Sequence, residues 1–376
     1  MAKIILFGGS FDPIHLGHLA MAKNAMQAIH AQKVIFIPAK KPRWKELAGE
    51  DKDRLRLLKL ALKGESAFSY STYELEAVQG GHYTIDTIRY FLQKSEEKSE
   101  KNEYYYLIGG DQLEKLHRWH DIDQLSSLIH IIAYQREDQQ TAPRKAIKNI
   151  NAYHVQMIHG DSYAVSSTAI RNLQSIDVPS SVLEDIMEHH LYCFDTIYSY
   201  LDEKRYRHSC SVALLAKSIA EKNGKDPYLA FLAGILHDIG KNSEKTEEGM
   251  KIMEQEWRDM LFLPSWSYHQ FISATYARQV FQIQNQEVLD AIAYHCTGKA
   301  QMSPLAMIIY ASDKIDPLRD YDSSWMIEAC LNDYYKGFLI VLKENKLFLE
   351  DKGNDSHNPL TQGCFEYYLE KREKND

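Results

Sequence analysis

Residues 8–18 constrain the fold more than any other part of this sequence. They read G-G-S-F-D-P-I-H-L-G-H, after a short apolar run at residues 4–7 and before an apolar-periodic segment at residues 19–29. This order predicts a strand, a glycine-containing turn and a helix. Because the first turn of a helix presents backbone N–H groups and the positive end of the helix dipole, we expect a phosphate site here.

Two histidines lie in this turn, three positions apart. His15 and His18 should therefore project from one face of the first helical turn. Each imidazole can donate a hydrogen bond to a phosphate oxygen from a protonated ring nitrogen. The alternative is a simple connecting turn with two solvated histidines, and the strand–turn–helix context disfavours it.

Length and charge limit the function classes. A chain of 376 residues predicts two or three domains. With 44 basic and 52 acidic residues and a net charge of −8, it lacks the basic character of a nucleic-acid-binding protein. We therefore expect no nucleic-acid partner.

The sequence also predicts a cytoplasmic location. No apolar stretch approaches the roughly 18 residues of a membrane span. The apolar run at residues 4–7 is too short for the core of a signal peptide. We therefore expect no membrane partner. All five cysteines follow residue 190 without forming a C-x-x-C pair, which favours free thiols in a reducing compartment.

Secondary-structure signals change in character near residue 190. Up to that point, predicted strands at residues 34–37, 104–108, 128–134 and 153–157 alternate with helical patterns such as residues 51–63. This alternation predicts an α/β domain with a doubly wound parallel sheet at residues 1–190. From residue 191 to 376, apolar residues recur only at helical spacing, for example at residues 197–220, which predicts an all-α helical bundle.

The turn at residues 8–18 resembles the H-x-G-H signature of the nucleotidyltransferase superfamily. Its longer form, G-G-S-F-D-P-I-H-x-G-H, is similar to bacterial nicotinate-nucleotide adenylyltransferases. The resemblance continues at residues 37–39 with Lys45, although Trp44 stands where that family often has histidine. It continues again at residues 83–87, where the local pattern also allows Thr84 to be a helix N-cap.

Three later segments extend this resemblance. Leu107 to Asp111 is similar to the family's I-G-x-D, and residues 117–119 are similar to its H-K-W. The stretch at residues 165–171 is close to the family's I-S-S-T-x-I-R, with Val165 in place of isoleucine. In that stretch a serine can cap a helix, and Arg171 can hold a phosphate with two hydrogen bonds.

The resemblance implies a Rossmann-like nucleotidyltransferase that transfers AMP from ATP to nicotinate mononucleotide, with Mg²⁺ bridging phosphate oxygens and no covalent intermediate. The implied catalytic residues are His15, His18, Lys45 and Arg171. The implied substrate-binding residues are Gly8, Gly9, Ser10, Phe11, Asp12, Tyr83, Thr84, Gly109, Asp111, Arg118, Trp119, Ser166 and Ser167.

The second half contains an adjacent His-Asp pair at the end of an apolar helix, together with distant histidines and one distant aspartate. This order resembles the HD-domain metal phosphohydrolases, in which ligands from separate helices converge in the core of the bundle. The resemblance implies two transition-metal ions, with iron favoured and manganese, zinc or cobalt as alternatives, and with Asp238 bridging. The implied metal ligands are His208, His237, Asp238, His269, His295 and Asp313.

Shorter matches are similar to one branch, the YqeK-like bacterial hydrolases of diadenosine tetraphosphate. Residues 236–241 resemble its L-H-D-x-x-K, residues 294–298 its Y-H-T-T-G, and residues 313–319 its D-x-I-E-P-x-R. Around His269 the match is poor, because residues 267–270 read S-Y-H-Q where the branch has a histidine–glycine pair. The resemblance implies metal-dependent symmetrical hydrolysis to two ADP. It assigns Lys241 a catalytic role and assigns substrate contacts to Thr297, Gly298 and Arg319.

The sequence leaves several alternatives open. The acceptor of the first reaction could be nicotinamide mononucleotide or phosphopantetheine, although the segments at residues 83–87 and 118–119 favour a pyridine nucleotide. The second half could be a nucleotide-sensing module without turnover, although the complete ligand set argues against this. Homo-oligomer formation is also open.

Overall fold

The structure is a computed structural model that describes residues 1–40, 47–76, 83–136, 144–160, 163–351 and 358–370. The chain divides into two compact units, Met1–Tyr192 and Cys193–Asp376. Each unit is described separately below.

Six described strands of the first unit form one parallel sheet in the order β3-β2-β1-β4-β5-β6. Helices connect the strands, which confirms the predicted α/β doubly wound parallel sheet. The strands are β1 Ala2–Gly9, β2 Lys33–Pro38, β3 Phe68–Tyr70, β4 Asn102–Gly109, β5 His130–Arg136 and β6 Gln156–Gly160. The helices are α1 Leu16–Ile29, α2 Asp51–Ala61, α3 Thr84–Glu97, α4 Ile122–Leu128, α5 Arg144–Ala152, α6 Ser167–Arg171 and α7 Ser180–Glu188, with a 3-10 helix at Gly110–Arg118.

The strand order determines where a ligand can bind. The chain winds outward from β1 in one direction through β2 and β3, and in the other direction from β4 through β5 and β6. Parallel sheets of this type bind ligands beyond the carboxyl ends of the strands, where the winding reverses. Here the reversal lies between β1 and β4, so the segments that follow Gly9 and Gly109 meet at one edge.

Three strands differ clearly from the sequence predictions. One is β5, which begins at His130 and not at residue 128, because Leu128 is the last residue of α4. The three-residue strand β3 is too short to give a periodic signal. The last strand begins at Gln156 and not at residue 153, because the end of α5 continues into a tight turn. In that turn Tyr153 N–H donates to the Asn149 carbonyl and Val155 N–H to the Ile150 carbonyl.

The second unit is helical, and no strand occurs among residues 193–351 and 358–370. Its helices are α8 Cys193–Ser199, α9 Glu203–Lys222, α10 Pro227–Leu236, α11 Glu247–Glu256, α12 Tyr268–Gln279, α13 Gln286–Ala293, α14 Pro304–Lys314, α15 Ser324–Asn332, α16 Tyr334–Asp351 and α17 Pro359–Phe365. Short 3-10 helices span Lys241–Ser243, Arg258–Met260 and Ser265–Ser267, and a π-helix spans Glu366–Glu370. The all-α prediction is confirmed.

The predicted helix at residues 197–220 is two helices. Asp202 separates them, because its carboxylate accepts a hydrogen bond from Arg205 N–H at 2.9 Å and so begins α9. In the part of the chain that the structure describes, no helix combines the length and apolarity that crossing a membrane would require.

Helices α9 and α10 pack closely at Gly234. A Cβ atom at this position would lie 2.7 Å from the Ala213 Cα. The close approach brings α10, which ends just before His237, against α9, which carries His208. Because Gly234 has no side chain, α9 and α10 can approach this closely, and both helices position candidate metal ligands.

We expect Gly234→Ala to lower the free energy of unfolding of the helical unit by about 1–3 kcal/mol, because its methyl group meets backbone atoms. Urea denaturation followed by circular dichroism measures this change. Gly363→Ala in α17 is the matched control, since a Cβ there would meet no atom within 4 Å. Equal stability of the two variants would contradict the close packing.

Candidate active sites

The first candidate site surrounds the start of α1. His15 is the N-cap of this helix, and His18 is three residues further along. Each backbone N–H donates to the Nδ1 atom of the other residue, at 3.3 Å, and the two rings stack with centroids 3.6 Å apart. Since Nδ1 accepts in both rings, the hydrogen of each neutral imidazole is on Nε2. Both rings can therefore present an N–H group to a phosphate oxygen.

The electrostatics of this helix start also favour an anion. The first turn of α1 contains no acidic residue that would offset the positive end of the helix dipole. Gly17 allows a close approach here, because a Cβ on it would lie 2.9 Å from the Val165 Cγ1 atom. The segment that contains Ser166 and Ser167 is thereby held against the start of α1.

The second predicted phosphate segment lies beside this turn. Ser166 caps α6 by accepting the Ala169 N–H at 3.1 Å, and the Ser167 hydroxyl donates to the Pro13 carbonyl at 2.9 Å. Arg171 donates to the Asp12 carbonyl at 2.5 Å. The structure therefore brings both serines and Arg171 to the His15–His18 turn.

Two residues that were expected to touch substrate lie beneath the site. Phe11 and Asp12 are buried. The Asp12 carboxylate accepts the N–H groups of Ala48 and Gly49, at 2.9 and 3.0 Å, and the Tyr192 hydroxyl at 3.0 Å. Because these donors occupy its oxygens, Asp12 supports the loop and does not face a ligand. Lys45, the fourth predicted catalytic residue, lies outside the described residues.

The remaining predicted residues of this site follow β4 and begin α3. Gly109 ends β4, and the exposed side chains of Asp111 and Arg118 belong to the 3-10 helix that follows. Trp119 is half-buried and meets the Tyr106 ring edge-on, with centroids 5.9 Å apart. Gly8, Gly9 and Ser10 lie at the end of β1, the strand next to β4, at the same edge of the sheet.

The start of α3 differs from its prediction by one residue. Tyr83, not Thr84, is the N-cap, and its N–H donates to the Asp86 carboxylate at 3.1 Å. Tyr83 stacks on His120 with ring centroids 4.2 Å apart. Thr84 is thus the first helical residue, where its side chain remains close to β4.

A buried carboxyl group beneath α3 gave no signal in the sequence. Glu74 accepts the Thr87 hydroxyl at 2.7 Å, and burial raises the pKa of this carboxyl to about 7. The acid therefore supports α3 from the loop after β3, and its charge changes near neutral pH.

The second candidate site lies in the helical unit, where all six predicted metal ligands meet. His208, His237 and Asp313 place one ligand atom each within 4.8 Å of one another, and so do His237, Asp238 and His295. The Nε2 atom of His269 lies 3.5 Å from one oxygen of Asp238. Asp238 faces His269 and His295 with Oδ1 and His237 with Oδ2.

Hydrogen bonds set the tautomers of two of these histidines. The Nδ1 atoms of His237 and His295 lie 2.7 and 2.8 Å from the carbonyls of the residues three positions earlier. Since a carbonyl only accepts, Nδ1 carries the hydrogen and Nε2 presents a lone pair. The Nδ1 atom of His269 lies 2.9 Å from the Trp266 carbonyl and also near the ammonium of Lys241. Burial also lowers the pKa of His237 to about 4 and of His269 to about 3, which keeps both rings neutral.

This arrangement fits metal ions. The Nε2 atoms of His237, His269 and His295 face the Asp238 carboxylate across 3.5–3.9 Å, too far for a hydrogen bond. For His237 and His295 a lone pair faces a negative charge, which is unfavourable without a cation between them. His237 Nε2 is buried and has no hydrogen-bond partner among the described residues. Imidazole and carboxylate donors together suit a transition metal.

His208 is held differently from the other histidines. Its Nδ1 atom lies 2.6 Å from the Asp316 carboxylate, and its Nε2 atom lies 3.1 Å from Asp313. Burial alone would lower the pKa of His208, but the hydrogen bonds to these two carboxylates outweigh it and raise the pKa to about 9. Asp316 therefore orients the ring of His208, a candidate metal ligand, by binding the Nδ1 atom on the side away from Asp313. The sequence did not indicate this role.

Two cationic side chains lie beside the cluster of candidate metal ligands. Lys241 pairs with Glu244 at 2.7 Å, and its Nζ atom lies 3.1 Å from His269 Nδ1. Arg319 binds the carboxylate of Asp313 at 2.9 Å and is partly exposed. Both of these predicted residues therefore lie beside the candidate metal site.

The turn at Thr297 and Gly298 is buried, although contact with substrate was expected of both residues. The Thr297 N–H donates to the side-chain oxygen of Gln270 at 3.3 Å. Gly298 has a φ of 66°, and a Cβ there would lie 2.7 Å from Cys364 Sγ. This turn therefore holds His295 in place from inside the unit.

Comparison with known proteins agrees with this division of the chain. Residues 6–173 match the Cytidylyltransferase-like family, and residues 205–318 match the HD domain family. A Mycoplasma genitalium protein named "Probable nicotinate-nucleotide adenylyltransferase/Ap4A hydrolase" is 30% identical over 360 residues, which cover 93% of this chain and 99% of the relative.

Of two further relatives, one matches nearly the whole chain and the other matches half of it. A Mycoplasma pneumoniae protein of the same name is 31% identical and covers 90% of this chain and 98% of its own length. An Opitutus terrae protein named "Probable nicotinate-nucleotide adenylyltransferase" is 36% identical over 199 residues, 50% of this chain and 97% of its own.

The buried acid beneath α3 predicts a pH-dependent stability. The pKa of Glu74 rises from its ordinary 4.5 to about 7 on folding, so the folded protein binds the proton more tightly. Stability therefore falls as pH rises from about 4.5 to 7, by up to about 3 kcal/mol. Glu74→Gln keeps the acceptor for Thr87 without the charge, so its stability advantage should grow from pH 5 to pH 8.

Denaturant unfolding of both proteins across this pH range measures the difference. Glu76→Gln, an exposed position in the same loop, serves as the control and should follow the wild type. A Glu74→Gln variant whose advantage does not change with pH would argue against a buried ionisation.

Removing the partner behind His208 should weaken metal binding. We expect Asp316→Asn to reduce affinity for a divalent transition metal about 10- to 100-fold, because the ring loses the carboxylate that orients it. Competition with a chromogenic chelator measures this affinity. Asp322→Asn, at an exposed aspartate of the following turn, should bind as the wild type does. Unchanged affinity in Asp316→Asn would exclude this supporting role.

Proposed function

Since the chain belongs to the nicotinate-nucleotide adenylyltransferase/Ap4A hydrolase family, we propose that each of its two units carries one of these reactions. The first unit makes nicotinate adenine dinucleotide and pyrophosphate from ATP and nicotinate mononucleotide, a step of NAD synthesis. The second hydrolyses diadenosine tetraphosphate symmetrically to two ADP. We place the division of activities near the predicted boundary of 1–190 and 191–376.

The stacked His15–His18 pair is the observation that carries the first assignment. In this reaction an oxygen of the mononucleotide 5′-phosphate bonds to the α-phosphorus of ATP, while the bond to the departing pyrophosphate breaks. Negative charge grows on the oxygens around the reacting phosphorus. Two Nε2–H donors at a helix N-terminus are suited to stabilise that charge without reorganising.

Neighbouring groups complete the ATP side of the site. The backbone of Gly8, Gly9 and Ser10 lets the phosphates approach, and Ser166, Ser167 and Arg171 add donors from the other side of the turn. Lys45 is assigned to the triphosphate from its sequence context alone. ATP enters with Mg²⁺, which neutralises phosphate charge as part of the substrate.

The acceptor occupies the carboxyl end of β4 and the start of α3. Tyr83 and Thr84 border this space on one side, and Gly109 and Asp111 on the other. We propose that the pyridine ring lies against Trp119. Arg118, which is exposed and cationic, then binds the carboxylate of the ring or the phosphate of the mononucleotide. A nicotinate acceptor fits this assignment better than a neutral amide, since the guanidinium favours a carboxylate.

The second activity depends on the ligand cluster of the helical unit. His208, His237 and Asp313 would hold one metal ion and His269 and His295 the other, with Asp238 between them. When bound, such a pair lowers the pKa of water and polarises a phosphoryl oxygen. Iron, manganese, zinc and cobalt all suit these donors. Lys241 and Arg319 lie where they can bind the remaining phosphates of the tetraphosphate chain.

We also propose a cytoplasmic location. All five cysteines are free thiols. This is usual for a protein of a reducing compartment, where ATP and pyridine mononucleotides are also available.

Two variants should separate the activities. His18→Ala removes a phosphate donor and should lower kcat for adenylyl transfer about 100- to 1,000-fold, leaving diadenosine tetraphosphate hydrolysis unchanged. Asp238→Ala should abolish hydrolysis and reduce bound metal, leaving transfer unchanged. Pyrophosphate release and ADP formation, measured on the same purified protein, test both.

Each outcome has a distinct meaning. A wild-type protein that releases no pyrophosphate with ATP and nicotinate mononucleotide would contradict the first assignment. Bound metal without hydrolysis of diadenosine tetraphosphate would instead indicate a sensing module in the second unit. Faster transfer to nicotinamide mononucleotide than to nicotinate mononucleotide would identify the former as the acceptor.

A further inference from the structure

Tyr106 contacts residues from both halves of the proposed transferase site. It lies on β4 next to β1, and its side chain is buried. Its neighbours include Gly8 at the end of β1, Thr84 at the start of α3, and Trp119 after the 3-10 helix. The first belongs to the ATP side, and the other two belong to the acceptor side.

The hydroxyl group makes the contact with Gly8. A Cβ on Gly8 would collide with the Tyr106 oxygen and would lie 3.2 Å from the ring carbon Cζ that carries it. The oxygen therefore occupies the space that a side chain at residue 8 would need. This contact places the Tyr106 hydroxyl directly against the turn at residues 8–18.

The Thr84 side chain lies where it can interact with the same hydroxyl. Burial raises the pKa of the phenol, so it remains neutral and can act as donor or acceptor. Thr84 is the first residue of α3, so this interaction ties the start of the helix to β4. In addition, the ring meets Trp119 edge-on, with an interplanar angle of 86°.

We propose that Tyr106 is a positioning residue for adenylyl transfer. It holds Thr84 and Trp119 at a set distance from Gly8, in the turn at residues 8–18 that faces the phosphates of ATP. The acceptor phosphate can then meet the α-phosphorus of ATP with the alignment that the reaction needs. This proposal rests on the proposed transferase activity of the first unit.

Core packing alone does not account for this residue. Tyr104 occupies the same face of β4 two positions earlier, in the same apolar cluster, and packs against Phe91 with ring centroids 6.1 Å apart. A phenylalanine at residue 106 would fill the same volume. The atom that tyrosine adds is the one that touches Gly8 and Thr84.

Tyr106→Phe tests the hydroxyl, with Tyr104→Phe as the matched control. We expect Tyr106→Phe to raise KM for nicotinate mononucleotide about 5- to 20-fold and KM for ATP less than 2-fold. Thr84→Val should raise KM for the mononucleotide similarly, and the double variant should show no further loss. Tyr104→Phe should match the wild type in both constants.

A purely structural role would instead lower stability and the fraction of active enzyme while both KM values stay constant. That result, or additive losses in the double variant, would overturn the proposal. Absence of transfer by the wild-type protein would overturn the proposed function itself, so the two failures are distinguishable.

A second measurement tests the contact with Gly8. Gly8→Ala should lower kcat/KM at least 100-fold, because its methyl group meets the Tyr106 hydroxyl. Adding Tyr106→Phe removes the oxygen and should restore part of this loss, at least 5-fold, although Cζ remains close. If the second substitution reduces activity further, the hydroxyl does not set this spacing.

Discussion

The hydrogen bond at histidine Nδ1 differs between the two units of this chain. In the first unit, Nδ1 of His15 and of His18 accepts a backbone N–H, so that Nε2 carries a hydrogen. In the helical unit, Nδ1 of His237 and of His295 faces a backbone carbonyl, so that Nε2 presents a lone pair. The first arrangement produces donors for phosphate oxygens, and the second produces ligands for a metal ion.

The local backbone determines which arrangement forms. At the start of a helix the N–H groups lack partners, and a ring nitrogen can accept from them. After the end of α10 or α13 the carbonyl three residues earlier is available, and it accepts from the ring. For His15, His18, His237 and His295, the position relative to a helix end thus accounts for the tautomer, and the tautomer determines what Nε2 can bind.

Much of this organisation could be predicted from the sequence. The strand–turn–helix at residues 8–18 and the adjacent His237 and Asp238 are local patterns, and short-range order determines them. Asp316 and Tyr106 were missed because their roles depend on partners far away in the sequence, His208 on α9 and Gly8 on β1. The burial of Thr297 depends in the same way on Gln270, from helix α12. The break between α8 and α9 was missed, although the capping aspartate at residue 202 was a usable signal.

The hydrogen bond from Tyr192 to Asp12 connects the last residue of the first unit with the turn at residues 8–18. Asp12 also accepts hydrogen bonds from Ala48 and Gly49, which come shortly after Lys45 in the sequence. A fragment that ends at residue 190 would keep every strand of the sheet but would lose this phenol donor. To keep this contact, a separate first unit must extend to Tyr192, so the segment that separates the two activities in sequence also supports one of them.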